Sequence, residues 1–548
     1  MNFIENETPT KLRGGYYTDL DIACFLTRWV LETSPKRILE PSCGDGAFVE
    51  ALTRVGPRRV ESFTGFEIER AEAAKAQARA RNLSGVVTEI HTRDFLAWSL
   101  SKSWETERFD GCLGNPPFIR YQYLDKTQQV LAAKIFGKFG LKFTKHTNAW
   151  VPFIIAALDH LNPGGRLAMV VPAEILHVLH AQSLRQFLLA QCSKVVILDP
   201  EELWFDKVLQ GVVLLFAEKK LATDQKSSGV AVVNAQGRGF LTDDPAAYVD
   251  GATFTDAAVL TGKWTYALLT VGERALLAEA AAHRSVFQFS DVADVDVGVV
   301  TGANEFFLVA DDVVERYKLQ RWAFPAFGRS EHVPGIIYDR RTHEANRRRG
   351  LPTNLIWFGD EHGAKLSNSA REYISLGEDQ KLHHRYKCRV RSPWYTVPSV
   401  YSTNVGMLKR CHDLPRLVLN SIGAFTTDTA YRIRPKRVAE RHLVFSFVNP
   451  LTALTAELEG RHYGGGVLEL VPSEIERLLV PLAEPRSALV KDLDRAFRES
   501  RGPQAILAMQ TRLVLAPIGI SAVAGEAFGA AWLRLRSRRQ RNGVEGNI

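Results

Sequence analysis

The sequence predicts an α/β fold: a mostly parallel sheet covered by helices on both faces, followed by a mixed α+β domain. Three observations carry this. Short apolar runs alternate with amphipathic stretches through the first 220 residues, the pattern of strands joined by crossover helices. A glycine-containing turn follows the first of these strands, as in sheets that bind a nucleoside at their carboxyl ends. Beyond residue 265 the alternation is lost, and Arg, Trp, Tyr and Pro become frequent.

Taken in order, "RILEPS" (37–42) reads as a strand and "FTGFEI" (63–68) as the next, followed by the Ala-rich helix "ERAEAAKAQARARN". "HTRDFLAW" (91–98) closes a third strand, and "FDGCLGN" (109–115) is the fourth. "AWVPFIIAALDHL" is an apolar helix with "NPGG" as its stop. "RLAMVVP" (166–172), "KVVILDP" and "GVVLLFAEKK" complete the strands. The texture then turns small, polar and Gly-rich, as in "LATDQKSSGVAVVNAQGRG", which marks a boundary. The expected division is a catalytic domain at 1–245, a linker at 246–265, a second domain at 266–530 and a basic tail at 531–548. There is no internal repeat.

Composition narrows the class. With 548 residues, 46% hydrophobic and 24% charged, the chain has material for two or three folded domains. The net charge of +8 favours a polyanionic partner, most simply nucleic acid. Cysteines 24, 43, 112, 192, 388 and 411 form no closely spaced pairs, so a reduced chain without a metal site is expected. The N-terminus carries no apolar signal region, and no apolar run is long enough to span a bilayer.

The stretch "ILEPSCGDGAF" (38–48) is a strand, a tight turn and a helix start. Gly44 and Gly46 let the backbone approach a ligand closely. A second strand ends in Glu67, whose carboxylate suits both hydroxyls of a ribose. Asp94 and Phe95 suit an adenine ring. Glu40, Glu67 and Asp94 thus end three successive strands and point to a nucleoside cofactor. The turn lacks the terminal Lys-Ser/Thr of a phosphate loop, which disfavours ATP.

The fourth strand ends in "NPPF" (115–118). An adenine amine attacks poorly because its lone pair is delocalised into the ring. Accepting hydrogen bonds from both amine hydrogens draws the nitrogen towards tetrahedral geometry, which needs two acceptors on a rigid frame. The Asn115 side-chain oxygen and the Pro116 carbonyl supply them. Pro116 and Pro117 fix φ and remove two backbone donors. Phe118 offers a face on which a base stacks.

In this order, "YYT" (16–18), "ILEPSCGDGAF", "FEI", "RDFLAW", "LGNPPF" and "LNPGGRLAMVVP" resemble the motifs of the gamma-type DNA adenine-N6 methyltransferases of restriction-modification systems. The resemblance spans residues 12 to 220. It implies a Rossmann-like class I methyltransferase domain that binds S-adenosyl-L-methionine. It also implies that Thr18 and Glu40 serve the methionine end, Glu67 the ribose, and Asp94 with Phe95 the adenine, with Gly44 and Asn115 also among the cofactor-binding residues. Asn115, Pro116 and Phe118 would hold the target adenine, flipped out of double-stranded DNA. The family's second aromatic wall matches "LWFDKVLQGVVLLF" at Phe205.

In the second half, "VDVGVVTGANEFFLV" (295–309), "CRVRSPWYTVP" (388–398) and, loosely, "PRLVLNSIGAFTTDTAYRI" (415–433) resemble segments of a target-recognition domain. Gly302 and Asn304 mark either a loop near DNA or a hairpin turn. Arg389, Arg391, Trp394 and Tyr395 suit either phosphate contact with base stacking or a surface strand with a buried Trp, and Arg391 is the candidate base reader. Arg347, Arg348 and Arg349 lie in a basic run that reads as a solvated face or a phosphate patch. The resemblance implies a site-specific methyltransferase of a prokaryotic cytoplasm, with a separate cognate endonuclease as its partner. Rival readings are methylation of RNA or of a protein glutamine, a fused enzyme that also cuts, and an inactive DNA-binding protein. No Asp…Glu-x-Lys nuclease signature and no preceding domain are expected.

Overall fold

A computed structural model describes residues 17–102, 105–200, 211–223, 226–260, 262–359, 365–463 and 465–540. They form two compact units, one up to Leu268 and one over Leu269–Gln540.

In the first unit, α1 (Leu20–Leu31) starts at Asp19, whose carboxylate accepts from the Asp21 and Ile22 amides. Next come β1 (Arg37–Glu40), α2 (Ala47–Val55), β2 (Ser62–Glu67), α3 (Arg70–Ala80), β3 (Val87–Thr92) and α4 (Phe95–Ser99). They are followed by β4 (Phe109–Gly114), α5 (Lys126–Lys138), α6 (Trp150–Asp159), β5 (Leu161–Pro172) and α7 (Gln182–Gln191). β6 (Cys192–Pro200), β7 (Val212–Lys219), β8 (Val230–Ala235) and α8 (Pro245–Asp250) close the series. Among the described residues the strands lie in the order β3-β2-β1-β4-β5-β7-β6-β8. β7 runs antiparallel to both its neighbours, and the other ladders are parallel.

The continuous apolar runs of the sequence have their explanation here. Along β5, Leu167, Met169 and Val171 enter the core on one face, and Ala168 and Val170 enter the core on the other. β6 and β7 divide in the same way, so a strand buried on both faces has no polar side to show. Trp98, Trp150 and Ile154 fill one face, while Phe25, Trp29 and Phe48 fill the other. The "NPGG" expected to be only a helix stop lies inside β5, at a shift of its register against β4.

The expected linker at 246–265 belongs to the first unit instead. Residues 245–250 are helical, Thr255 bridges to Val230, and Trp264 is fully buried. Val249, Leu260 and Trp264 join the two cores, and burial of this apolar surface holds the segment in place.

The second unit is mixed α+β. A five-stranded sheet runs Ala293–Val297, Ala430–Pro435, Val405–Leu408, Leu417–Asn420 and Ile337–Tyr338, antiparallel except for its last pair. A four-stranded sheet joins Leu308–Val309, Asn354–Ile356, Ala323–Phe327 and Phe425–Thr426. The expected basic tail does not begin at 531. Helix Ala522–Gln540 buries Phe528, Ala531, Trp532 and Leu535 along one stripe. Arg539 donates to both carboxylate oxygens of Glu457, at 2.9 and 2.7 Å, and both side chains are fully buried. Helical spacing thus turns part of a basic run inward. Among the described residues no helix is long and apolar enough to cross a membrane.

Candidate cofactor and catalytic site

The carboxyl ends of β1, β2 and β4 open onto one cavity of about 590 Å³, a size suited to a small molecule. Thr18, Glu40, Gly44, Glu67, Asp94, Phe95 and Asn115 all line it. These residues are far apart in sequence, and the parallel sheet brings them together.

The loop after β1 is shaped by glycine. Gly46 caps α2 at φ +89°, and a Cβ there would lie 2.8 Å from the Cα of Ala76. Gly44, at φ +50°, faces open space, and its amide donates to Glu67 Oε2 at 2.9 Å. The Glu69 amide donates to the other oxygen of Glu67 at 2.8 Å. Glu67 therefore fixes the loop while each of its oxygens keeps further accepting capacity. Burial pushes its carboxyl above the ordinary range.

Glu40 is only 1% exposed, and its carboxyl is raised well above the usual range, by burial first and then by the charges of Glu67 and Asp45. Its Oε2 is buried with no hydrogen-bond partner. A buried orphan acceptor at a cavity wall calls for a donor from a ligand. S-adenosylmethionine carries an ammonium group and two ribose hydroxyls, so this acceptor set fits it.

Asp94 caps α4, with Oδ1 accepting from the Ala97 amide at 2.9 Å. Phe95 is a core residue, with its ring centroid 5.4 Å from Phe66 and 5.7 Å from Phe153. Phe153, Tyr17 and Asp45 also line the cavity and were not singled out from sequence. Phe153 sits in a helix that is apolar all round, where no periodic signal distinguishes a cavity residue from a core one.

At the end of β4, Asn115 is held from both sides. Its Nδ2 donates to Thr18 Oγ1 at 3.2 Å, and its backbone carbonyl accepts from Ser42 Oγ at 3.1 Å. The planar amide then turns Oδ1 away from Thr18. Pro116 is buried, and Phe118 is half-buried. The Ala149 amide at the start of α6 donates to Ile119 O at 2.9 Å and ties down the chain beyond the turn. Phe205 lies outside the described residues.

The nominated residues of the second unit have other roles. Arg391 donates to the Thr301 and Val300 carbonyls, each at 2.7 Å, and burial lowers its pKa. Trp394 and Tyr395 are 8% and 9% exposed, packed with Phe306 and Phe358, which leaves no face for a base. The reading of these three as base contacts is therefore corrected: the irregular loop 300–302 needs donors for its carbonyls, and the aromatics fill the core beneath it. Asn304 donates to Asp428 Oδ1 at 2.7 Å, and Gly302 takes φ +83°. Arg347 is paired with Asp311 at 2.8 Å. Arg348, Arg349 and Arg389 are exposed.

Comparison with known proteins agrees with the geometry. Residues 2–244 match the family model described as N-6 DNA Methylase. Residues 261–515 match the Type II methyltransferase M.Eco57I, C-terminal domain. The chain is 20% identical to Type II methyltransferase M.AccI of Acinetobacter calcoaceticus, over 84% of each chain. It is 22% identical to Type II methyltransferase M.XamI of Xanthomonas campestris pv. amaranthicola, over 86% of this chain and 85% of that one. The fold is similar to that of the Type IIL restriction-modification enzyme MmeI in complex with DNA, with a TM-score of 0.55, 12% identity, and coverage of 95% of this chain and 71% of that one. The first unit thus carries the match to the N-6 DNA methylase family, and the chain is an S-adenosylmethionine-dependent, adenine-specific DNA methyltransferase.

Proposed function

We propose that the first unit transfers the methyl group and the second reads a specific DNA sequence, as the modification enzyme of a restriction-modification system in a prokaryotic cytoplasm, working beside a separately encoded endonuclease. The relatives described as Type II methyltransferases cover most of this chain and support that setting. S-adenosylmethionine, when bound, supplies an electrophilic methyl group. Glu40 and Thr18 hold its methionine end beside Gly44, Glu67 its ribose hydroxyls, and Asp94 with Phe95 its adenine.

Asn115 Oδ1 and the Pro116 carbonyl accept from the two amine hydrogens of the target adenine. That draws the nitrogen lone pair out of the ring and towards the methyl group. Phe118 stacks on the flipped base, and Phe205 is the proposed opposite wall. Such stacking offsets ~1–3 kcal/mol of the cost of unstacking. No general base is required first, because the methylated amine is a strong acid and loses its proton readily.

The observation that carries this reading is the double tether of Asn115, to Thr18 and to Ser42, at the rim of the cavity. Asn115→Ala is expected to abolish methyl transfer while S-adenosylmethionine and DNA affinities stay near wild type, because the amide acts on the reacting amine. Retention of roughly a tenth or more of the wild-type rate, a loss of only ~1.4 kcal/mol, would overturn the role assigned to the tetrapeptide.

A further inference from the structure

The stretch "QKLHHRYKCRVR" (380–391) holds Lys381, Arg385, Lys387, Arg389 and Arg391 and no acidic residue. It forms two short helical turns, Leu382–His384 and Tyr386–Arg389. Its inner side is seated firmly. Leu382 and Cys388 are buried, and Cys388 Sγ lies 3.8 Å from Thr301 O. Arg391 spans the Val300 and Thr301 carbonyls. Gly302 allows an approach so close that a Cβ there would lie 2.7 Å from Lys387 Cβ.

The outer side has a different character. Tyr386 and Val390 are each 66% exposed, and Arg385, Lys387 and Arg389 are exposed with them. The Lys387 ammonium and the Arg389 guanidinium lie 5.7 and 5.5 Å from the Tyr386 ring centroid. Arg385 is paired with Glu305. Lys387 and Arg389 have no carboxylate partner among the described residues. Two unneutralised cations are therefore displayed around one aromatic ring, on a turn whose backbone is pinned from below.

We propose that this turn is a DNA-backbone contact of the second unit, with Lys387 and Arg389 each taking a phosphate and Tyr386 positioning them. The proposal rests on the DNA methyltransferase reading above. Phosphate is favoured over a base edge for a physical reason. Lys387 is a point charge without the planar fork that reads a base. A rigid cationic surface fits the repeating charge of a duplex whatever its sequence. The arginine nominated from sequence as a reader is the anchor of this surface, and its neighbours are the groups that reach the phosphates.

The test measures binding of the full chain, by fluorescence anisotropy, to a methylatable duplex and to one lacking the target, across a salt series. The double variant Lys387→Gln/Arg389→Gln is expected to bind both duplexes about tenfold more weakly at low salt. Its log–log salt slope should fall by ~0.9 for each phosphate that is no longer neutralised. Tyr386→Phe should keep the wild-type slope, and Tyr386→Ala should lower it in part. Arg501→Gln, at a guanidinium already paired with Glu499, is the comparison variant and should leave the slope unchanged.

An unchanged slope in Lys387→Gln/Arg389→Gln, or weakening confined to the target duplex, would overturn the proposal. If the Gln pair fails to fold, Lys387→Arg/Arg389→Lys keeps both charges and must keep the slope; a lowered slope there also overturns it. Wild-type protein that transfers no methyl group to DNA would sink the functional reading itself, which is a separate outcome.

Discussion

The two units place their charged side chains in opposite ways. In the first, carboxylates end parallel strands and face a cavity. Glu40 is buried with an orphan oxygen, and Glu67 is pushed up by burial. In the second, arginines turn inward to backbone carbonyls. Arg391 serves Val300 and Thr301, Arg416 serves Val333 and Gly335, and Arg432 serves Val297 and Ser399. Long parallel strands satisfy their own backbone groups and leave side chains for a ligand. Short strands and irregular loops do not, so long cationic side chains complete their hydrogen bonding. Arg185 does the same in the first unit, donating to the Ile175, Val178 and Gly262 carbonyls, which lie in a short helical turn and in loops. A count of arginines therefore overstates how many face DNA.

The contrast breaks most visibly at Arg432, which is 5% exposed and lies 3.6 Å from the Tyr401 ring centroid. Arg432→Ala should destabilise the second unit by about 3 kcal/mol or more, since it removes the buried donor shared by the Ser399, Tyr401 and Val297 carbonyls. S-adenosylmethionine affinity, a property of the first unit, should not change. Urea denaturation with calorimetric titration of the cofactor checks both; parallel loss of cofactor binding would mean the units do not divide the work this way.

Glu40 offers the converse case, a buried group that the proposed function keeps for a ligand. Glu40→Gln removes a buried carboxylate, so the cofactor-free protein should melt higher. Cofactor binding should weaken by ~1–3 kcal/mol, the range of a hydrogen bond to a charged group. A lower melting temperature together with unchanged affinity would show Glu40 to be structural.

Acid sharpens the comparison least, because both units bury histidine. Burial holds His160 in the first unit and His332 in the second at a pKa of about 4. The unfolded chain takes up these protons near its ordinary value of ~6.5, while the folded chain does not. The contribution of these two histidines should thus be flat above that pH and fall as pH drops from about 6.5 towards 4. At pH 6 the expected loss is about 1 kcal/mol or less in each unit. Calorimetric scans against pH check this, and His332→Gln should flatten the fall for the second unit alone. A transition that moves equally in wild type and variant would exclude His332 as the titrating group.

Much of the first unit was legible in the chain because its signals are local. Two-faced apolar runs such as "RLAMVVP", the Gly44–Gly46 turn and the acidic strand ends each lie within a few neighbouring residues. The strand Val230–Ala235 and the buried Trp264 were not legible, for they sit in polar, Gly-rich surroundings that read as a boundary. Of the site, Thr18, Glu40, Gly44, Glu67, Asp94, Phe95 and Asn115 meet in one cavity, whereas Phe153 gave no local sign.

By itself the sequence determined the alternation of strands and helices, the glycine turn and the residue types at the strand ends, since backbone preference and side-chain period act over a few residues. Only the tertiary structure decided which cations face outward. Arg391 meets its carbonyls across 90 residues of chain, and Arg539 meets Glu457 across 82. A basic run reads alike whether its arginines meet solvent, phosphate or an unpaired carbonyl. What separates these outcomes is the backbone that chain closure brings against it, and no local pattern encodes that.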